Sequence, residues 1–342
     1  MVDVMDTRSR LEQANDNAAA FWIAQAAVNG WESVQRAGFT AVRCEGGDSE
    51  AHRVVITRPY GQPDDQIGEL LDLFREWRTA RLCLEDPFGR LDLTPHGCEA
   101  ALGQAVMTRE RGPVGRASDA MSGRASRATA EAPRWWETAP SVGSVGDGNA
   151  AGGGAAIEGA AVGGAAVGGA AVGGAEPGSG RPGGPGSAGV RGAGDEDAGG
   201  LLDVREALDE DDLAEVEETL IEGFPMPARW PVTRGAMLPP GLLAVPGYRA
   251  WSARIDGKAV GACVSYEHGV TVGIYTVATL PAFRSRGVGR AVVTAALEAH
   301  PARVATLVAT LLGEPLYRRL GFVEQGVSRW WRYPATPASL TV

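Results

Sequence analysis

TVATLPAFRSRGVGR, residues 276–290, passes from an apolar, β-branched run into a helical pattern through Pro281 and a pair of glycines. Gly287 and Gly289 carry no β-carbon, so the backbone there is free to approach a ligand and to turn its unpaired N–H groups toward it where a helix begins. A diphosphate suits such a site. Arg284, Arg286 and Arg290 would add charge-assisted hydrogen bonds, and the helix macrodipole favours an anion by up to about 1 kcal/mol. A dinucleotide fingerprint would need a third glycine at position 292, where the chain has Val292, and the Gly-Lys-Ser/Thr of a P-loop is absent.

Further along stands GEPLYRRLGF, residues 313–322. The first stretch, read as R-x-x-G-x-G after a strand and Pro281, resembles the signature loop of the GNAT acetyltransferases, which bind the pyrophosphate of acetyl-coenzyme A. The second reproduces the family's L-Y-x-x-L-G-F at Leu316, Tyr317, Leu320, Gly321 and Phe322, in the expected order. The resemblance extends over roughly residues 201–333 and implies an acetyltransferase domain at 201–336. It extends to two-domain actinomycete members, which also place Y-x-V-A-T-L-P before the loop and G-E-P-x-Y-R-R-L-G-F after it.

The resemblance implies a mixed, mostly antiparallel α/β sheet flanked by helices, with acetyl-coenzyme A as cosubstrate. Arg284, Ser285, Arg286, Gly287, Val288, Gly289 and Arg290 would hold the pyrophosphate. The strand bearing Val277, Ala278 and Thr279 would bulge and splay from the next parallel strand, leaving backbone groups for the pantetheine arm, since free strand N–H and C=O groups must find partners. Thr310 stands where some relatives use Asn to hold the coenzyme. A neutral amine would attack the thioester, the N–H of Val277 would stabilise the oxyanion, and Tyr317 would protonate the departing thiolate. Tyr317 as a plain packing residue is the competing reading. Some relatives carry a glutamate base early in that strand, but the matching place here is Gly273. Glu267 and His268 in the preceding turn, or a water relay, are then the candidate bases, against the plainer reading of solvated turn residues.

Around these motifs the hydrophobic pattern is that of an α/β chain. Phe21, Trp22, Ala24, Ala27 and Val28 predict a helix ending near Gly30, followed by strands in FTAVRC and HRVVITRPY and a helix through Ile67, Leu70, Leu71, Phe74 and Trp77. RLCLED and ALGQAVMTRE are expected to close a small sheet. Residues 1–112 thus form an N-terminal α/β domain, and its AFWIAQAAVNGWE and VVITRPYG resemble a degenerate acetyltransferase half without a coenzyme loop. Beyond residue 200, Asp209 predicts a helix cap, WSARIDG and AVGACVSYEHG a hairpin turning at Asp256-Gly257, VTVGIYTVATL a third strand, and VATLVAT a strand parallel to it after a crossover helix.

Between the two lies a different composition. Of the 48 glycines, 23 fall between positions 141 and 200, in a stretch with an AAVGG repeat and almost no large apolar side chain. Such a segment cannot offset the entropy of its own ordering, so residues 113–200 are expected to be a flexible linker. Glu158 and the glycines from 155 to 175 argue against a membrane span there, and the charged opening MVDVMDTRSR argues against a signal peptide. A net charge of −10 argues against nucleic-acid binding, and Cys44, Cys83, Cys98 and Cys263 lack metal-site or disulfide spacing, so a cytoplasmic protein without a metal is expected.

Residues 203–222 hold ten acidic residues and one basic residue, which would attract a cationic amine or simply face solvent. Phe224, Pro225, Met226, Trp230 and Tyr275 would line an apolar wall or form core. The expected function is an N-acetyltransferase acting on a primary amine of a small molecule or peptide. A noncatalytic coenzyme-binding or interaction module is the alternative.

Overall fold

The first helix, α1 (Arg10–Asn29), opens on a capping box in which the Ser9 hydroxyl accepts from the Glu12 N–H and the Glu12 carboxylate accepts from the Ser9 N–H. Serine followed three residues later by glutamate is the reason the helix begins well before its apolar stripe. It ends at Gly30, whose φ of 69° is left-handed and unstrained for glycine. Then come β1 (Glu32–Gln35), β2 (Phe39–Arg43), β3 (His52–Ile56), α2 (Pro63–Trp77), β4 (Leu82–Asp86), β5 (Glu99–Ala100) and β6 (Gln104–Arg109).

In the second part of the chain β7 (Leu202–Glu206) precedes α3 (Glu210–Gly223), capped by the Asp209 carboxylate, which accepts from the N–H groups of Asp211 at 3.0 Å and Asp212 at 2.9 Å. β8 (Tyr248–Ile255) and β9 (Lys258–His268) form the expected hairpin, with Asp256 at φ 51° and Gly257 at φ 81°, both positive as a two-residue turn demands. β10 (Thr271–Thr279), α4 (Val288–Glu298), β11 (Val304–Ala309), α5 (Glu314–Arg319) and β12 (Val323–Tyr333) complete the order.

The computed structural model describes residues 8–44, 52–77, 82–101, 103–114, 202–224, 226 and 229–333. Apart from residues 113 and 114 the expected linker lies outside them, as does Pro225. The described residues belong to one unit, whose strands run β1-β2-β3-β4-β12-β6-β11-β10-β9-β8-β7, with β5 beside β12. Only β3–β4 and β10–β11 are parallel, so the sheet is mixed and mostly antiparallel.

Strand β6 does not stay beside β4. It inserts between β11 and β12, while β12 runs on to pair with β4 over Leu82–Asp86. The last strand of each part therefore crosses into the other part's sheet.

Apolar side chains fix the layers. On one face α1 and α3 bury Phe21, Trp22, Leu213, Val216 and Leu220 against Val42, Val55, Tyr248, Ala250 and Val264. On the other, α4 and α5 bury Val288, Val292, Tyr317 and Leu320 against Met107, Val260, Ile274 and Leu307, and α2 covers Phe39, Val54, Ile56 and Leu84. Each large side chain so buried contributes about 1.5–3 kcal/mol.

Candidate active site

The parallel pairing of β10 with β11 is short. It covers Thr271–Gly273 opposite Val304–Thr306 and stops. Beyond it, Leu307–Ala309 pair only with β6 on their far side, and the ladder of β10 to β9 breaks between Tyr275 and Ala278, where Thr276 has a φ of 49°. A non-glycine residue in the left-handed region marks a bulge. The outcome is a wedge between β10 and β11 into which Val277 and its neighbours present backbone groups without a strand partner on that side.

The loop closing the wedge is shaped by local conformation. A short turn at Pro281–Phe283 leads to Ser285 at φ 62° and Gly287 at φ 80°. Gly287 is the N-cap of α4 and offers no side-chain acceptor, so the N–H groups of the first turn stay available until Ala291 bonds back to the Gly287 carbonyl at 2.9 Å. A β-carbon on Gly287 would meet nothing within 4 Å, so its backbone angle rather than crowding calls for glycine. At Gly289 a β-carbon would touch Leu316 and Thr279 at 3.4 Å, which draws α4 close to α5 and to the end of β10.

Side chains expected at this loop divide into two groups. Arg284 is committed to the protein itself, donating to the carbonyls of Thr279 at 3.3 Å and Gly223 at 3.1 Å. Arg286 is exposed, with its guanidinium 5.6 Å from the Phe283 ring centre, and Arg290 is half-buried at the helix start. The loop therefore has two uncommitted cations rather than three. Thr310 likewise serves the fold, its hydroxyl and carbonyl oxygens both accepting from the Gly313 N–H at the entry to α5.

Tyr317 lies on α5, 8% exposed, edge-on to Phe322 at 5.9 Å. Gly313 makes room for it, since a β-carbon there would stand 2.9 Å from the ring. Burial, with a smaller contribution from Cys263, raises its hydroxyl well above the usual tyrosine range, so it is held as the protonated acid.

Glu267 and His268 stand apart from this cluster. Glu267 opposes Val272, about 15 Å of strand from the bulge. Its carboxylate accepts from His300 Nδ1 at 2.5 Å and pairs with Arg303 at 3.0 Å. Burial works to raise Glu267, but the His300 hydrogen bond and the His300 and Arg303 charges outweigh it and hold the carboxyl low. Burial lowers His300 against the pull of Glu267, and its Nε2 lies 3.2 Å from the Ser265 hydroxyl. Ser265 is fully enclosed and accepts from the Trp251 indole at 3.0 Å, so this chain of side chains fastens the end of β9. His268, beside the same turn, is lowered by burial against the opposing charge of Asp16.

Gly273 explains the missing glutamate. A β-carbon there would collide with Oδ1 of Asn17 and with the ring of Tyr275. Asn17 and the rest of the buried Gln13–Asn17 turn of α1 escape sequence reading, because buried polar side chains ahead of the apolar stripe leave no hydrophobic pattern at those positions. Phe224, Met226 and Tyr275 pack half-buried on the α1–α3 core, whereas Trp230 is 53% exposed. Of the acidic residues on α3, Glu217 is fully buried and accepts from the N–H groups of Gly235, Met237 and Leu238.

The corresponding helix start in the first part of the chain carries Asp64 and Asp65 in the first turn of α2, which repel an anion. Asp86 there is enclosed and accepts from the Tyr60 hydroxyl at 3.0 Å. Among the described residues no group of histidine, cysteine or acidic side chains is placed to hold a metal, no helix is long and apolar enough to cross a membrane, and the four cysteines are buried thiols.

Residues 246–324 match the model of the acetyltransferase (GNAT) domain family. A GCN5-related N-acetyltransferase from Kribbella flavida aligns over 93% of this chain and 96% of its own, at 14% identity and a TM-score of 0.50. One from Sphaerobacter thermophilus aligns over 86% and 76%, at 13% identity and 0.45. An aminoglycoside acetyltransferase from an uncultured soil metagenomic sample, in complex with trehalose, aligns over 35% and 86%, at 19% identity and 0.30. No curated protein matches the chain. The Kribbella flavida alignment extends the likeness of fold across both parts of the chain, and the match to the acetyltransferase (GNAT) domain family falls on the strands and helices that build the wedge.

Proposed function

We propose that this protein transfers the acetyl group of acetyl-coenzyme A to a primary amine of a small molecule or peptide. The observation that carries the reading is the β10–β11 wedge, flanked at one end by the uncapped start of α4 and on one face by the helix bearing Tyr317. The N–H groups from Val288 to Arg290, with Arg286 and Arg290, receive the diphosphate. Ser285, Gly287 and the Arg284 clamp shape the loop around it. Val277, Ala278 and Thr279 pair with the pantetheine amides, and Thr310 borders the slot.

In the reaction the neutral amine nitrogen attacks the thioester carbon, and the resulting oxyanion takes a hydrogen bond from the Val277 N–H. Collapse breaks the carbon–sulfur bond and the thiolate takes the Tyr317 proton. The surplus proton on nitrogen leaves through water, because Glu267 is engaged with His300 and Arg303 at the far end of the strand. An oxyanion donor is worth about 10²–10³ in rate and a general acid about 10²–10⁴.

The test is release of free thiol from acetyl-coenzyme A across a library of amines, read beside a coenzyme titration. Amine-dependent release supports the transferase. Saturable coenzyme binding with no release across the library turns the assignment to a binding module.

A further inference from the structure

Strand β6 comes from the first part of the chain, yet it is the sheet neighbour of β11 on the side away from β10, and it stays paired past the point where β11 leaves β10. Ala105–Arg109 pair with Ala305–Ala309, and Gln104–Thr108 pair with β12 on the opposite side. Met107 on this strand is fully buried in the same core as Leu307, Tyr317, Leu320 and Phe322. At its end, Nε of Arg109 donates to the carbonyl of Leu320 at 3.0 Å, across 211 positions of sequence. The other guanidinium nitrogens donate to the carbonyls of Gly112 and Pro113, so the side chain is held on both sides.

Leu320 is the C-cap of α5, a helix of only six residues. A helix so short leaves most of its terminal carbonyls without internal partners, and a cation at that end meets both the free carbonyl and the negative end of the dipole. Arg109 thereby ties the end of β6 to the end of α5, three residues beyond Tyr317.

We propose that Arg109, at the end of strand 104–109, is a positioning residue for Tyr317. The assignment rests on the acetyl-transfer reading above. Strand β6 backs β11, which forms one wall of the wedge, and the acid is aimed by a side chain lying outside the region that matches the GNAT domain, residues 246–324. The second part of the chain is therefore not a complete transferase by itself.

The experiment uses the full chain with Arg109→Ala and Arg109→Lys. Arg109→Ala is expected to lower kcat about 10- to 100-fold, within the worth of one general acid, with the KM for acetyl-coenzyme A held within about threefold; Arg109→Lys, which keeps one donor and the charge, recovers part of the loss. A second readout needs no turnover. With 3-fluorotyrosine incorporated and the Tyr317 resonance assigned by Tyr317→Phe, Arg109→Ala shifts or broadens that resonance and leaves Tyr60 unchanged. Equal loss in kcat and coenzyme affinity, or an unmoved Tyr317 resonance, overturns the proposal. Should Arg109→Ala fail to fold, parental kcat and resonance in Arg109→Lys do the same. If the parent chain acetylates no amine, the transferase reading fails while the fluorine spectrum still decides the coupling of Arg109 to Tyr317.

Discussion

Asn17 accepts the hydroxyl of Tyr275 at 2.5 Å, and the two residues are 258 positions apart. The Asn17 amide also donates to the Tyr266 carbonyl at 3.1 Å and to the Thr271 hydroxyl at 2.9 Å, so one side chain of α1 ties β9 to β10. Phe21, one turn further along α1, stacks on Tyr275 with ring centres 4.0 Å apart. The first helix of the chain is in this way a structural support of the strand that carries the bulge.

Gly273 lies beneath that support. Gly273→Ala must displace either the bonded Asn17 amide or the Tyr275 ring, since neither is the loose end of an exposed side chain. The expected cost is about 1–3 kcal/mol, the usual range for overpacking a closed site. Urea unfolding that leaves the midpoint unmoved would show that α1 yields without penalty.

Gly287→Val is expected to weaken coenzyme binding at least about tenfold, because it loads a left-handed position with a branched side chain, a strain of about 1–2 kcal/mol, and fills the space before the α4 amides. Gly287→Ala carries the backbone strain with less bulk and should fall between. Isothermal calorimetry with coenzyme A measures both, and equal affinity in all three proteins would move the diphosphate elsewhere.

Tyr317→Phe keeps the ring that packs on Phe322 and removes only the hydroxyl. The coenzyme thiol has a pKa near that of free cysteine, about 8.5, so its thiolate is already a fair leaving group. The expected loss is therefore about 10- to 1000-fold in kcat with coenzyme affinity retained. Parental turnover would remove Tyr317 from the chemistry, and lost affinity with normal turnover at saturation would make it a packing residue.

Glu85 gives a pH signature with a definite sign. It lies on β4 opposite Trp330, 8% exposed, and burial pushes its carboxyl up to about 7 against the pull of Arg53. The folded state binds this proton more tightly than the unfolded state does. Its contribution is therefore fully present below the ordinary carboxyl pKa of 4.5 and is lost as the pH rises through about 7. Glu85→Gln should raise the thermal midpoint at pH 8 by several degrees and change it by about one degree or less at pH 4.5. Equal shifts at the two pH values would mean that Glu85 does not carry the linkage.

Features set by a few neighbouring residues were legible in the chain. The hairpin at Asp256-Gly257, the Asp209 cap and the start of α4 at Gly287 each follow from backbone angles or caps that only certain residues supply. R-x-x-G-x-G at the start of α4 and L-Y-x-x-L-G-F at the end of α5 are local devices of the same kind.

What only the tertiary structure decided is which distant groups meet. An apolar strand pattern states that β6 is buried and says nothing of whether β4 or β11 lies beside it, because ladder hydrogen bonds are made by backbone common to every residue. Arg284 reads like Arg286 and Arg290 in the chain, yet two carbonyls claim it once Gly223 is folded against the loop. Glu267 reads as a candidate base until His300 and Arg303 are brought to it. Charge and hydrogen-bonding capacity belong to the residue type, whereas the partner that uses them is set by packing between segments hundreds of residues apart.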